Sequence, residues 1–177
     1  MNYFTRERYL ALQNFDDDAM SAADADWESA VERYESYLQS IRPQLPESVR
    51  QLLDGFYLHD ARVLSMGQRG ETFVISLQLD PPPHELLTLT YTLAGQPEVK
   101  QEPFAWAAGV TTVCWLYEEI ELIPTEAQPS FVQSILFSNG WEVRLPFRAV
   151  HAATAFPLLP LRGRPSLGTA PATSQTA

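Results

Sequence analysis

Hydrophobic periodicity changes once along this chain, at Tyr57-Leu58-His59-Asp60-Ala61-Arg62-Val63. Before this point apolar residues recur at spacings of three or four; after it they alternate with polar ones. The first pattern buries one stripe of a helix and the second buries one face of a strand. The junction therefore divides the chain into a helical part, 1–55, and a β-rich part, 56–157. It also sets His59 and Asp60, two of the few side chains with chemical potential, at the entrance to the sheet.

In the helical part, Thr5 is an N-cap for a short helix over 6–14, with Phe4 and Tyr9 placed as a hydrophobic staple. Asp16-Asp17-Asp18 breaks that helix. From Asp26 to Ile41 the residues Trp27, Ala30, Val31, Tyr34, Tyr37, Leu38 and Ile41 form one apolar stripe, which predicts the main helix. Asp24 or Asp26 can cap it, and Pro43 stops it. Pro46 suits the first turn of a last short helix, with Val49, Leu52 and Leu53 on its apolar side and Gly55 past its end.

In the β-rich part, Phe73, Ile75, Leu77 and Leu79 share one strand face, and Leu87, Leu89, Tyr91 and Leu93 another. Asp80-Pro81-Pro82-Pro83-His84 joins them and cannot extend either ladder. Gly67-Gln68-Arg69-Gly70 reads as a hairpin turn, and 111–123 as a longer strand closed by Pro124. Asn139-Gly140 predicts a type I′ hairpin between 131–138 and 141–147, with Leu136 opposite Val143 and Val132 opposite Phe147. From Leu158 the periodicity is lost, so 158–177 is expected to be a flexible tail. The fold class expected is a single α+β domain over 1–157, with two or three N-terminal helices on a mainly antiparallel sheet of about five or six strands.

Charge narrows the function classes. The 177 residues carry 22 Asp and Glu against 12 Lys and Arg, for a net charge of −10. Segments 1–55 and 56–156 each hold 11 acidic and 5 basic residues, so the excess is spread over the whole fold. Nucleic-acid binding needs clustered cations and is not expected, whereas a basic protein partner suits this surface. Cys114 is the single cysteine, which excludes an intrachain disulfide and a cysteine-rich zinc site. The charged opening residues lack a signal-peptide core, and no stretch reaches the roughly 20 apolar residues of a membrane span. A cytoplasmic location is expected.

Candidate sites are few. On a strand, His59 and Asp60 would point to opposite faces and could not form a dyad, leaving Asp60 to pair with Arg62. His59, His84 and His151 show no metal-ligand spacing, and neither a metal nor another cofactor is expected. Glu119 and Glu121 share a strand face roughly 7 Å apart, a separation that a glycosidase pair could use and that a solvated strand edge also explains. Cys114, between Val113 and Trp115, reads as a buried and inert thiol. No G-x-S-x-G elbow or phosphate loop is present. Trp106, Trp115, Tyr117 and Trp141 read as core, with a ligand-facing patch as the alternative.

Two stretches carry a resemblance. Met1-Asn2-Tyr3-Phe4-Thr5-Arg6-Glu7-Arg8-Tyr9 resembles the start of an uncharacterised bacterial family marked by a Tyr-Phe-Thr-x-Glu signature. Leu58-His59-Asp60-Ala61-Arg62-Val63-Leu64-Ser65, followed by alternating strands, is similar to the first strand of small bacterial immunity-type domains with a His-Asp-Ala opener. The second resemblance implies a protein that binds and neutralises a partner toxin without chemistry of its own.

The function expected is thus a non-enzymatic cytoplasmic binding protein, immunity-like and directed at a basic partner. His59, Asp60 and Arg62 are its binding candidates, with Glu119 and Glu121 as secondary ones. The alternatives are a metal-dependent or acid/base hydrolase using His59 with acidic strand residues, and an orphan structural domain.

Overall fold

A computed structural model describes residues 1–124 and 129–156, so the expected tail at 158–177 lies outside the described residues. The α+β architecture is present: three α-helices precede an antiparallel sheet that curls into a half-barrel.

Helix α1 (Arg6–Ala11) starts at the expected cap, where Thr5 Oγ1 accepts a hydrogen bond from the Arg8 N–H at 3.3 Å. Phe4 and Tyr9 both pack on the Tyr117 ring, at centroid distances of 5.8 and 6.1 Å. Helix α2 (Asp17–Ile41) begins well before Asp24. Asp16 accepts from the Ala19 N–H at 3.0 Å, and Asp17 and Asp18 occupy the first turn, where the helix dipole favours negative charge. The acidic triplet therefore starts the long helix. Its first turns are mostly exposed and carry no apolar stripe, which is why periodicity located only the part from Trp27 onward. Helix α3 (Glu47–Gly55) buries Val49 and Leu52, with Pro46 at its N-cap and Gly55 as its last residue.

The strands are β1 (Arg62–Arg69), β2 (Thr72–Gln78), β3 (Leu86–Leu93), β4 (Glu98–Lys100), β5 (Trp115–Ile123), β6 (Ser130–Phe137) and β7 (Glu142–Ala155). Their order is β1-β2-β3-β7-β6-β5, with β4 added to β7. The inward faces of β2 and β3 hold Phe73, Ile75, Leu77, Leu87, Leu89, Tyr91 and Leu93, as alternation predicts. Gly67, Gln68 and Arg69 belong to β1, and the turn is Gly70-Glu71, with Gly70 at φ +59°. Residues 111–114 precede β5 and lie outside it.

The β6–β7 hairpin differs from the expected type I′ form. Only Gly140 takes a positive φ, +88°; Asn139 does not. The Gly140 N–H donates to the Phe137 carbonyl at 2.8 Å and the Phe137 N–H to the Trp141 carbonyl at 2.9 Å, so the loop is Ser138-Asn139-Gly140. A three-residue loop with its last residue in the left-handed region shifts the register by one. Ile135 consequently opposes Val143 and Phe131 opposes Phe147, while Leu136 opposes Glu142. Phe131, Gln133, Ile135 and Phe137 line the inside of the sheet, and Val132, Ser134 and Leu136 line the outside.

Curling brings the two ends of the sheet together at one place. Arg62 bridges Cys114, the Val63 N–H donates to the Val113 carbonyl at 2.8 Å, and the Trp115 N–H donates to the Ala61 carbonyl at 2.9 Å. Beyond that contact β5 has a free edge, which α2 covers. The Ile120 N–H donates to the Tyr34 hydroxyl at 2.7 Å and the Leu122 N–H to the Tyr37 hydroxyl at 2.9 Å. Helix α3 packs against β7, and one core runs from Ile41, Val49 and Leu52 into the inward faces of the sheet. No helix among the described residues is long and apolar enough to cross a membrane.

Candidate functional site

The helix-to-sheet junction is a turn, and this overturns the expectation that His59 and Asp60 lie on a strand. The Ala61 N–H donates to the Leu58 carbonyl at 3.0 Å, and Asp60 takes φ +63°, a left-handed conformation that Asp tolerates better than most residues. Strand alternation begins only at Arg62, so nothing forces the two side chains apart. His59 Nε2 lies 3.6 Å from Asp60 Oδ2, longer than a hydrogen bond. Among the described residues Arg62 makes no salt bridge; the ionic neighbour of Asp60 is His59.

The backbone of β5 orients the imidazole. His59 Nδ1 is 2.7 Å from the Leu116 carbonyl oxygen, which can only accept, so Nδ1 carries the proton. In the neutral ring Nε2 is then an acceptor. Leu116 is available because a bulge between Trp115 and Tyr117 interrupts the β5–β6 ladder. The His59 ring rests against Tyr117 at 5.1 Å and Tyr57 at 6.1 Å. Tyr117 also meets Trp27 at 4.6 Å, so aromatic rings from α2, the turn and β5 form one wall.

That wall bounds an open cleft of about 500 Å³ between α2, α3 and β5. Val31, Leu38, Leu53 and Phe56 make its apolar side, and Glu35, His59 and Glu118 its polar groups. After the bulge Glu118 shares the inward face of β5 with Ile120 and Leu122, opposite Ile135. Its Oε2 accepts a hydrogen bond from the Trp115 indole N–H; its Oε1 has no hydrogen-bond partner among the described residues. Burial pushes the Glu118 carboxyl pKa up, the Trp115 hydrogen bond and the nearby His59 working against that shift. Inside the sheet the Tyr91 hydroxyl, also pushed up by burial, donates to Gln133 Oε1 at 2.7 Å.

No protein-family model matches this chain, and no curated protein matches it in sequence. Asp60 and Arg62 line a separate shallow groove with Asp80, His84 and Cys114. Among the described residues no group of three His, Cys, Asp or Glu side chains could hold a metal ion. His151 lies on β7 opposite Thr90, away from both depressions. Cys114 is half-buried, and desolvation pushes its thiol pKa up, the opposite of what a nucleophile requires.

Glu119 and Glu121 share the outward face of β5, as alternation predicts, and both hold the N-terminal residues. Glu119 Oε1 accepts from the Tyr3 N–H at 2.7 Å and the Phe4 N–H at 2.6 Å, and Oε2 accepts from the Asn2 N–H at 2.7 Å. Glu121 Oε1 accepts from Asn2 Nδ2 at 2.8 Å. Both oxygens of the fully buried Glu119 are engaged, which leaves neither for a glycosidase-type pair.

The structure thus sets His59 and Glu118 in one cleft, places Asp60 and Arg62 along a second groove without an ion pair between them, and joins Glu119 to Asn2, Tyr3 and Phe4. Glu118 was absent from the candidates read from sequence. Its signal was its parity: a carboxylate in step with Ile120 and Leu122 sits on the apolar face of its strand.

Proposed function

We propose that the protein is a non-enzymatic binding protein that receives a basic segment of a protein partner in the cleft between α2, α3 and β5. The observation that carries this reading is the chemistry of the cleft. Aromatic and aliphatic walls surround acceptors, Glu118 and Glu35 among them, under a net charge of −10. Such a lining favours an apolar stem with a cationic head, and the surrounding negative field speeds the approach of a basic partner. Tyr57, 61% exposed at the mouth, is the kind of aromatic residue that anchors interfaces. The raised thiol pKa of Cys114 and the engaged oxygens of Glu119 speak against nucleophilic and two-carboxylate chemistry. A cytoplasmic, immunity-like role, in which occupancy alone neutralises the partner, belongs to the same reading.

Photo-crosslinking from the cleft tests it. A photoreactive residue replacing Tyr57 is expected to yield one discrete adduct with a basic protein in native-cell extract, weakened by salt. The same residue replacing Gln68 on β1 should not. Adducts that are equally abundant from both positions, or insensitive to salt, would overturn the proposal.

A further inference from the structure

We infer that Glu118 anchors one lysine side chain of the partner, its ammonium seated on the free Oε1 oxygen inside the aromatic end of the cleft. This rests on the proposed binding role and names the group that is recognised.

Geometry selects lysine over arginine. A guanidinium binds a carboxylate best as a fork that uses both oxygens. Glu118 Oε2 already accepts the Trp115 indole N–H, so only Oε1 is wholly free and a fork would have to share Oε2 with the indole. An ammonium is a compact charge and needs only one oxygen. The rings of Tyr57, Tyr117 and Phe4 line the same cleft, and aromatic rings attract a cation. Leu38, Leu53 and Phe56 line the same cleft and give a four-carbon stem apolar surface to cover.

The free carboxylate is held in a costly state, since burial disfavours its charge and a cation would relieve that cost. Glu35, also in the lining, adds a second negative charge from α2. No lysine of the chain fills this place: Lys100, the single lysine of the sequence, lies on β4 and faces Glu142 at 3.9 Å.

Trp115 supplies the readout, because its indole N–H is bonded to the carboxylate that would receive the cation. The probes are capped Leu-Lys-Leu tripeptides in which lysine is kept or replaced by arginine, acetyl-lysine or norleucine, followed by the Trp115 indole resonance in two-dimensional NMR. The lysine peptide is expected to shift that resonance saturably and to bind about tenfold more tightly than the other three, a difference of about 1.4 kcal/mol. Glu118→Gln should abolish the preference for lysine over norleucine, and a melting temperature no lower than that of the unaltered chain shows that the variant is folded.

Equal binding of lysine and norleucine peptides would overturn the anchor and leave the cleft as an apolar binding site. Preference for arginine would overturn the single-oxygen argument. Hexylamine binding as tightly as the lysine peptide would assign the site to free amines instead of a partner side chain. Failure of all four peptides, with the Tyr57 crosslink still formed, would reject the anchor and retain the binding role.

Discussion

The Tyr34 hydroxyl accepts a hydrogen bond from the Ile120 N–H at 2.7 Å, and through it the long helix closes the free edge of β5. An open edge exposes unpaired donors and acceptors that invite another strand. Here Tyr34 and Tyr37 stand on successive turns of α2 and reach alternate residues of β5, so the period of the helix meets the period of the strand. The same contact holds α2 beside Glu118 and forms one wall of the cleft.

Removing that hydroxyl should be costly because its partner is buried. Tyr34→Phe keeps the ring and leaves the Ile120 N–H without an acceptor, a loss expected to be about 1–3 kcal/mol. Tyr37→Phe, at a partly buried bond, should cost less. Urea unfolding of both variants checks the order, and equal midpoints for the two would contradict it.

The Glu119 carboxylate organises Asn2, Tyr3 and Phe4 through three backbone N–H groups. Glu119→Gln loses the charge and one acceptor oxygen, leaving at least one of these donors unpaired. The expected cost is about 1.5–3 kcal/mol, the range for hydrogen bonds to charged groups. Hydrogen exchange at the amides of Tyr3 and Phe4 should accelerate more than exchange at the core strands. Unchanged protection there would show that the side chain does not hold this segment.

Glu118 gives stability a particular dependence on pH. Its pKa is raised in the fold, so the unfolded chain releases this proton more readily, and ionisation opposes folding. Below the ordinary glutamate range the group costs nothing; the cost grows as pH rises through the ordinary value and reaches its full extent above the raised one. Glu118→Gln, which still offers an oxygen to Trp115, should therefore raise the melting temperature at about pH 7 and have little effect at about pH 4. A variant with the same advantage at both values would refute the assignment.

Gly140 occupies a position that admits no side chain. A Cβ there would lie 2.6 Å from the Phe104 nitrogen and 2.7 Å from the Glu102 carbonyl oxygen, and the residue holds φ +88°. Gly140→Ala should destabilise by about 1–3 kcal/mol. Gly67→Ala is the control: nothing lies within 4 Å of its Cβ, and the effect should be neutral or a gain of under about 1 kcal/mol. Thermal melts of the two variants should move in different directions or by clearly different amounts.

Much of the fold was legible because it follows from local periodicity. The stripe from Trp27 to Ile41, the alternating faces of β2 and β3, and the change of period before Arg62 all specify which side of an element is apolar. The hairpin register was not legible: it turned on whether Asn139 takes a positive φ, and Gly140 is held instead against Glu102 and Phe104, far away in sequence. Nor was the start of α2, where a side-chain cap and the dipole act without any apolar pattern.

The candidate site divides along the same line. Sequence determined that β5 carries carboxylates of both parities, and that Glu118 shares the parity of Ile120 and Leu122. Only the tertiary structure decided what each carboxylate does. The left-handed Asp60 turn and the Leu116 bulge bring His59 to the cleft beside Glu118, and Glu119 closes on Asn2 across 117 positions of sequence. Periodicity records which face an element buries. Which distant group lies against that face is set by the curl of the sheet and the helices that cover its edge.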